Sequence, residues 1–314
     1  MRRWISVGAL VAVVGFGCSQ EPETAGDDSV VAAEAQPVLS VFVVSHPLRY
    51  FAERIGGARV RVDFPVPADT DPAYWSPGPE TIAAYQNADL ILLNGAGYAR
   101  WVELASLPQA RLVDTSASFA ERLIPLESGP AHSHGPQGEH SHAGYAFTTW
   151  LDPTLAIEQA RAISAVFSQA RPEDAEAFRS ALDELIAELS DLDRRLSSLW
   201  SRVGDSPILF SHPVYQYLER RYELNGRSLH WEPDEAPDQD MWRELETLLA
   251  GHPARWMVWE SEPLGATRAR LEAMGVGSLV FRPSGGAPET GNLLDGLLAD
   301  AAAIEATLSA EPSQ

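Results

Sequence analysis

Short apolar runs alternate with stretches of helical spacing along most of the chain. Residues 38–44 (VLSVFVV) form a run suited to a buried strand, and residues 47–55 follow with apolar positions three and four apart until Gly56-Gly57 stops them. Residues 60–66 give a second strand, 80–87 a helix, 90–93 a strand closing on Asn94-Gly95, 98–104 a helix and 112–113 a brief strand. The same alternation returns later, with strands at 207–210, 256–259 and 278–281. Helices are predicted there at 214–222, 241–249, 263–274 and 291–308. Strands alternating with helices predict parallel sheets, so the expected class is α/β, with two parallel-sheet lobes.

Between the halves, residues 153–200 read as almost wholly helical. The second part opens with Pro172-Glu173-Asp174, a helix-start signal, and carries Phe178, Leu182, Leu185, Leu189, Leu192 and Leu196 on one face. A helix over 172–202 would be about 40 Å long, enough to join two lobes. The expected organisation is therefore an N-terminal lobe over 37–171, this connecting helix, and a C-terminal lobe over 203–311.

Each half also opens on the same phrase. Val43-Val44-Ser45-His46-Pro47 leads into a helix ending Glu53-Arg54, and Leu209-Phe210-Ser211-His212-Pro213 leads into one ending Glu219-Arg220. Ligands of parallel α/β sheets sit beyond the carboxyl ends of the strands. Both His46 and His212 stand at such ends, so two facing lobes are expected to direct them into one cleft.

The first residues change the picture of where this fold works. Arg2 and Arg3 precede an apolar stretch over 4–16 and then Gly17-Cys18, which reads as a signal peptide over 1–18 with Cys18 as a lipid acceptor. Residues 19–36 are acidic, lack aromatics and read as a flexible tether. Cys18 is the one cysteine of the chain, so no internal disulfide forms. An exported lipoprotein, periplasmic or on the cell surface, is expected, acting as a monomer. The net charge of −21 argues against nucleic acid as a partner.

Candidate chemistry is concentrated in histidines and carboxylates. Four of the eight histidines, His132, His134, His140 and His142, fall within residues 131–142, where Gly and Pro predict a loop rather than a regular element. Imidazole suits zinc, copper and nickel. Glu260 and Glu262 follow a predicted strand directly and join His46 and His212 as candidate ligands, while Glu232, Asp234 and Glu235 lie in a proline-broken loop nearby. Serine-hydrolase, zinc-protease and phosphate-loop signatures are all missing, which points away from an enzyme.

From residue 38 onward the chain resembles the metal-binding components of bacterial zinc and manganese importers. The likeness is carried by Tyr50-Phe51-Ala52-Glu53-Arg54-Ile55-Gly56-Gly57, Asp71-Pro72-Ala73-Tyr74-Trp75-Ser76-Pro77 and Ala88-Asp89-Leu90-Ile91-Leu92-Leu93-Asn94-Gly95. Trp150-Leu151-Asp152-Pro153 and His212-Pro213-Val214-Tyr215 complete it. The resemblance implies two α/β lobes on one long helix. It implies capture of zinc, with manganese or another transition metal second, and hand-over to the permease and ATPase of an ABC importer. It also places the four ligand positions of the family at Ala73, Thr148, His212 and Arg282, of which only His212 can bind a metal. A relocated site would then recruit His46, Glu260, Glu262 and the histidines of 131–142. Two rival readings stand beside it: an organic solute or metal chelate held by Arg282 with Trp75 and Trp150 stacked against it, and a scaffold for metal buffering or adhesion.

Overall fold

The computed structural model describes residues 38–68, 70–126, 132–133, 139–140, 144–288 and 290–310. The leader and tether, with Cys18, lie outside them, as do His134 and His142. Residues 38 onward form one compact unit.

The first sheet is built from β1 (Leu39–Val43), β2 (Val60–Asp63), β3 (Leu90–Leu93) and β4 (Leu112–Asp114), all parallel, in the order β2-β1-β3-β4. Helices α1 (His46–Gly56), α2 (Pro79–Asn87) and α3 (Trp101–Leu104) make the crossovers. Two short antiparallel pairs follow. One joins β5 (Pro125–Leu126) to β8 (Gly144–Tyr145), and the other joins β6 (His132–Ser133) to β7 (Glu139–His140), with His132 opposite His140. The histidine-rich stretch expected to be loop alone therefore contains two hairpin rungs.

Helix α4 (Pro153–Ala170) starts at Asp152, whose carboxylate accepts the Thr154 N–H at 3.0 Å. A 3-10 turn at Pro172–Asp174 interrupts the expected helix, and α5 runs from Ala175 to Trp200, about 39 Å at 1.5 Å per residue. Arg171 anchors this corner: it is buried and pairs with Asp174 at 2.7 Å, and Asp174 also takes Arg59 at 2.9 Å.

The second sheet repeats the first. Strands β9 (Ile208–Phe210), β10 (Gly226–Ser228), β11 (Trp256–Trp259) and β12 (Gly277–Val280) are parallel in the order β10-β9-β11-β12, with α6 (Gln216–Tyr222), α7 (Gln239–Gly251) and α8 (Gly265–Ala273) between them. Helix α9 (Leu293–Ala310) closes the chain's described part. Strand β10 (GRS) carries no apolar signal and was not expected from the sequence. It exists because Gly226 leaves room: a Cβ there would come within 2.5 Å of the Phe210 ring and the Glu219 carboxylate.

The apolar stripe of α5 is fully used. Phe178, Leu182, Leu185, Leu189, Leu192, Leu196, Leu199 and Trp200 are buried in one cluster that includes Val41 and Val43 of the first sheet and Ile208 and Phe210 of the second. Burying each of these leucines contributes about 1.5–3 kcal/mol, so the helix is a shared core and not a bare linker. Midway along it, Arg54 of the N-lobe makes two bonds to Glu188, at 2.5 and 2.7 Å.

Candidate functional site: an acidic cleft between the two sheets

In each sheet the strand order reverses between its first and third strands, and ligands collect at the carboxyl ends of such pairs. The residues after β1 and β9 are the two Ser-His-Pro copies, and the residue after β11 is Glu260. Between the lobes lies a cleft of about 780 Å³, lined by Asp71, Tyr74, Thr148, Trp150, His212, Glu232, Glu260 and Arg282, among others.

His212 is set by backbone bonds on either side. The Ser211 N–H donates to the Val258 carbonyl at 2.8 Å, and the Trp231 N–H donates to the Ser211 carbonyl at 2.8 Å. These bonds hold the end of β9 beside β11 and draw the loop carrying Glu232 alongside. His212 Nδ1 comes to lie 3.6 Å from Glu232 Oε1 and 3.9 Å from Glu260 Oε1, with the His230 ring edge-on at 5.6 Å. Asp71 reaches the same cleft from the N-lobe, in a turn where it accepts the Ala73 N–H at 2.8 Å.

Glu260 is pushed up to about 8, first by burial, then by Glu232 and Asp71. Its side chain keeps 28% of its surface, facing the cleft, so the burial is that of a group walled on most sides rather than packed in apolar core. Tyr74 is raised to about 12 by burial and by Asp71, with Arg100 opposing. A cation in this cleft relieves carboxylate repulsion that protonation otherwise relieves.

Arg282 brings its own counter-ion to the cleft. Its guanidinium pairs with Asp300 of α9, and its backbone N–H donates to the same carboxylate at 2.8 Å. Burial raises the Asp300 carboxyl, and the arginine opposes this. No sequence signal marks Asp300, which is 18 residues away on a helix.

Beyond Arg282, residues 283–286 form a strap across to the N-lobe. The Pro283 carbonyl accepts Trp150 Nε1–H at 2.6 Å, and the Gly285 carbonyl accepts the His46 N–H at 2.9 Å. Ser284 sits in the left-handed region at φ 58°, a strained conformation for a residue with a Cβ. Tyr215 holds the strap's root, donating to the Phe281 carbonyl at 2.7 Å.

His46 is committed to this strap. Its backbone N–H is the group that the strap takes, and its ring is buried and does not line the cleft. Burial, reinforced by Arg49, lowers it to about 4, so it is neutral at neutral pH. Glu262 points away from the cleft and pairs with Arg268 at 3.4 Å, its side chain 65% exposed. Trp75 packs edge-on against Trp101 outside the cleft lining, whereas Trp150 lines the wall beside Tyr98. Thr148 faces the cleft and donates to the Val214 carbonyl at 2.5 Å, and Ala73 is buried in the turn that carries Asp71 and Tyr74. Among the described residues, no three His, Cys, Asp or Glu side chains form a group that would hold a metal ion. Asp71 escaped notice as a site residue in the sequence, since an acid in a turn looks like any solvated acid until the lobes converge.

Of the four positions that the resemblance marked, 148, 212 and 282 line one cleft between the two α/β lobes, and Ala73 is buried in the turn between the lining residues Pro72 and Tyr74. The sequence profile of the family "ZnuA: Zinc-uptake complex component A periplasmic" matches residues 41–307. The chain belongs to this family. Among relatives of the ZnuA family, the high-affinity zinc uptake system protein ZnuA of Bacillus subtilis is 27% identical over 229 residues, covering 71% of this chain and 70% of the relative. The zinc-binding lipoprotein AdcA of Streptococcus pneumoniae is 23% identical over 283 residues. The match takes in 88% of this chain and 54% of AdcA, so the chain spans about half of that relative. The crystal structure of the metal-dependent lipoprotein YcdH from Bacillus subtilis superposes with a TM-score of 0.72 at 22% identity, covering 85% of this chain and 98% of that one. This likeness carries the fold: two parallel-sheet lobes on a long helix. Among the described residues no helix is long and apolar enough to cross a membrane.

Proposed function

We propose that this chain is the extracytoplasmic receptor of an ABC-type zinc importer, and that zinc is its cargo. Family membership over residues 41–307 supports the class. The observation that carries the site is His212 standing 3.6 and 3.9 Å from two carboxylates at the strand-order reversal. A zinc–nitrogen or zinc–oxygen bond is about 2.0–2.2 Å, so an ion between His212 and either carboxylate requires only a small approach of the side chains. The receptor works as a monomer without catalysis, captures the ion outside the cytoplasm and delivers it to the permease and ATPase. Export by residues 1–18, a lipid on Cys18 and the tether over 19–36 keep it beside them. The histidines of residues 131–142 act as an auxiliary collector.

Zinc titration by calorimetry tests this reading. The wild-type protein is expected to bind at micromolar Kd or tighter. His212→Ala and Glu260→Gln should each weaken the cleft site at least about tenfold, the loss of one charge-bearing or metal-bearing donor. Deleting 131–142 should remove weaker additional binding and leave the cleft site. Binding no better than millimolar, unchanged by the deletion, would end the proposal.

A further inference from the structure

The cleft has more room and fewer donors than a bare ion calls for. Zinc takes about four donors. Here positions 73 and 148 offer a methyl group and a hydroxyl already donating to Val214, and no described group of three ligand-type side chains is arranged to hold an ion. The space is about 780 Å³, within the range of sites that hold small organic molecules. Its lining is of two kinds: His212 with the carboxylates of Asp71, Glu232 and Glu260, and the rings of Tyr74, Phe147 and Trp150. Tyr74 and Phe147 meet edge-on at 6.4 Å, and Tyr98 links Phe147 to Trp150 at 5.2 and 5.8 Å, making a continuous aromatic wall. Such a wall offers nothing to a metal ion that carboxylates do not, but it covers an organic face well.

We propose that the cargo enters as a metal chelate: a transition-metal ion already held by an amino-acid-sized nitrogen and oxygen donor. His212 takes one coordination position, the carboxylates balance the ion's charge, and the aromatic wall covers the organic part. The acidic lining then selects the loaded form. A free chelator bearing carboxylates is repelled, while its cationic metal complex is attracted. This rests on the reading of the cleft as a metal receptor and names the form in which the metal arrives.

Equilibrium dialysis of the whole protein with labelled zinc and labelled L-histidine, and in parallel with citrate, whose zinc complex stays anionic, tests the idea. Expected is retention of histidine in fixed proportion to zinc and only when zinc is present, with no retention of citrate. In His212→Ala both labels should fall together at least tenfold. In Phe147→Ala retention should fall about fivefold more with the co-ligand than without it, and Phe147→Leu, which keeps an apolar wall, should recover part of that loss. If zinc is retained while histidine stays free or strips it from the protein, the chelate idea is overturned and the zinc receptor stands. If no zinc is retained in any form, the receptor reading falls and takes this one with it. Histidine retained without zinc contradicts the inference too, since the cleft would then hold an organic solute alone.

Discussion

His212 and His46 share a sequence phrase yet have opposite fates. One borders the carboxylates of the cleft and the other is locked beneath residues 283–286. Their shared phrase was legible in the sequence, but their difference was not, because it depends on which lobe sends a strap across. The ligand positions give a direct test. Installing an imidazole and a carboxylate at two of these positions, with Thr148→His and Arg282→Asp together, should tighten zinc binding at least about tenfold over wild type, measured by competition with a chromophoric chelator, because two donors are added to a site short of them. A second residue offers a pH test away from the cleft. Glu219 is raised to about 7 by burial, with Arg227 only partly opposing. Its folded-state pKa lies above its unfolded one, so ionisation destabilises the fold progressively as pH rises from about 4.5 through 7. Glu219→Gln should therefore match wild type near pH 4 and exceed it by about 1–3 kcal/mol at pH 8 in denaturant unfolding.

At the scale of elements, periodicity found α5 because every apolar position on one face is buried. It placed the start three residues early, since the Pro172-Glu173-Asp174 signal opens a 3-10 turn tied to Arg171 and Arg59 rather than the helix itself. Strand β10 was invisible because Gly-Arg-Ser forms a strand only where β9 supplies the ladder and a missing Cβ supplies the space. Helix α6 starts at Gln216, later than the apolar pattern implies, because the residues before it are spent on the turn that presents His212 and on the Tyr215 bond to Phe281. Since α5 is core to both lobes, Leu189→Ala should lower global stability by about 2–5 kcal/mol in one cooperative transition. Two separated transitions in calorimetry would show instead that the lobes hold independently.

For the molecule as a whole, the α/β class, the paired lobes and the connecting helix all followed from the alternation of strands and helices. The cleft did not follow in the same detail. Its contents come from Asp71 in one lobe, Glu232 and Glu260 in the other, and a strap whose contacts lie more than 130 residues from its own position. That strap ties the C-lobe to the N-lobe. A Cβ on Gly285 would sit 3.3 Å from the Tyr98 hydroxyl and 3.5 Å from Trp150, so the longer branches of a valine would lift the strap off the N-lobe. Gly285→Val is expected to speed zinc release several-fold in stopped-flow chelator capture while shifting Tm by only a few degrees.

The matching sheets set up a symmetry that the finished molecule does not keep. Both lobes have the order second, first, third, fourth, and both leave their first strand through Ser-His-Pro. Two halves so alike would present two equivalent histidines to one cleft. Instead one copy serves as a fastening, and the other borders the carboxylates.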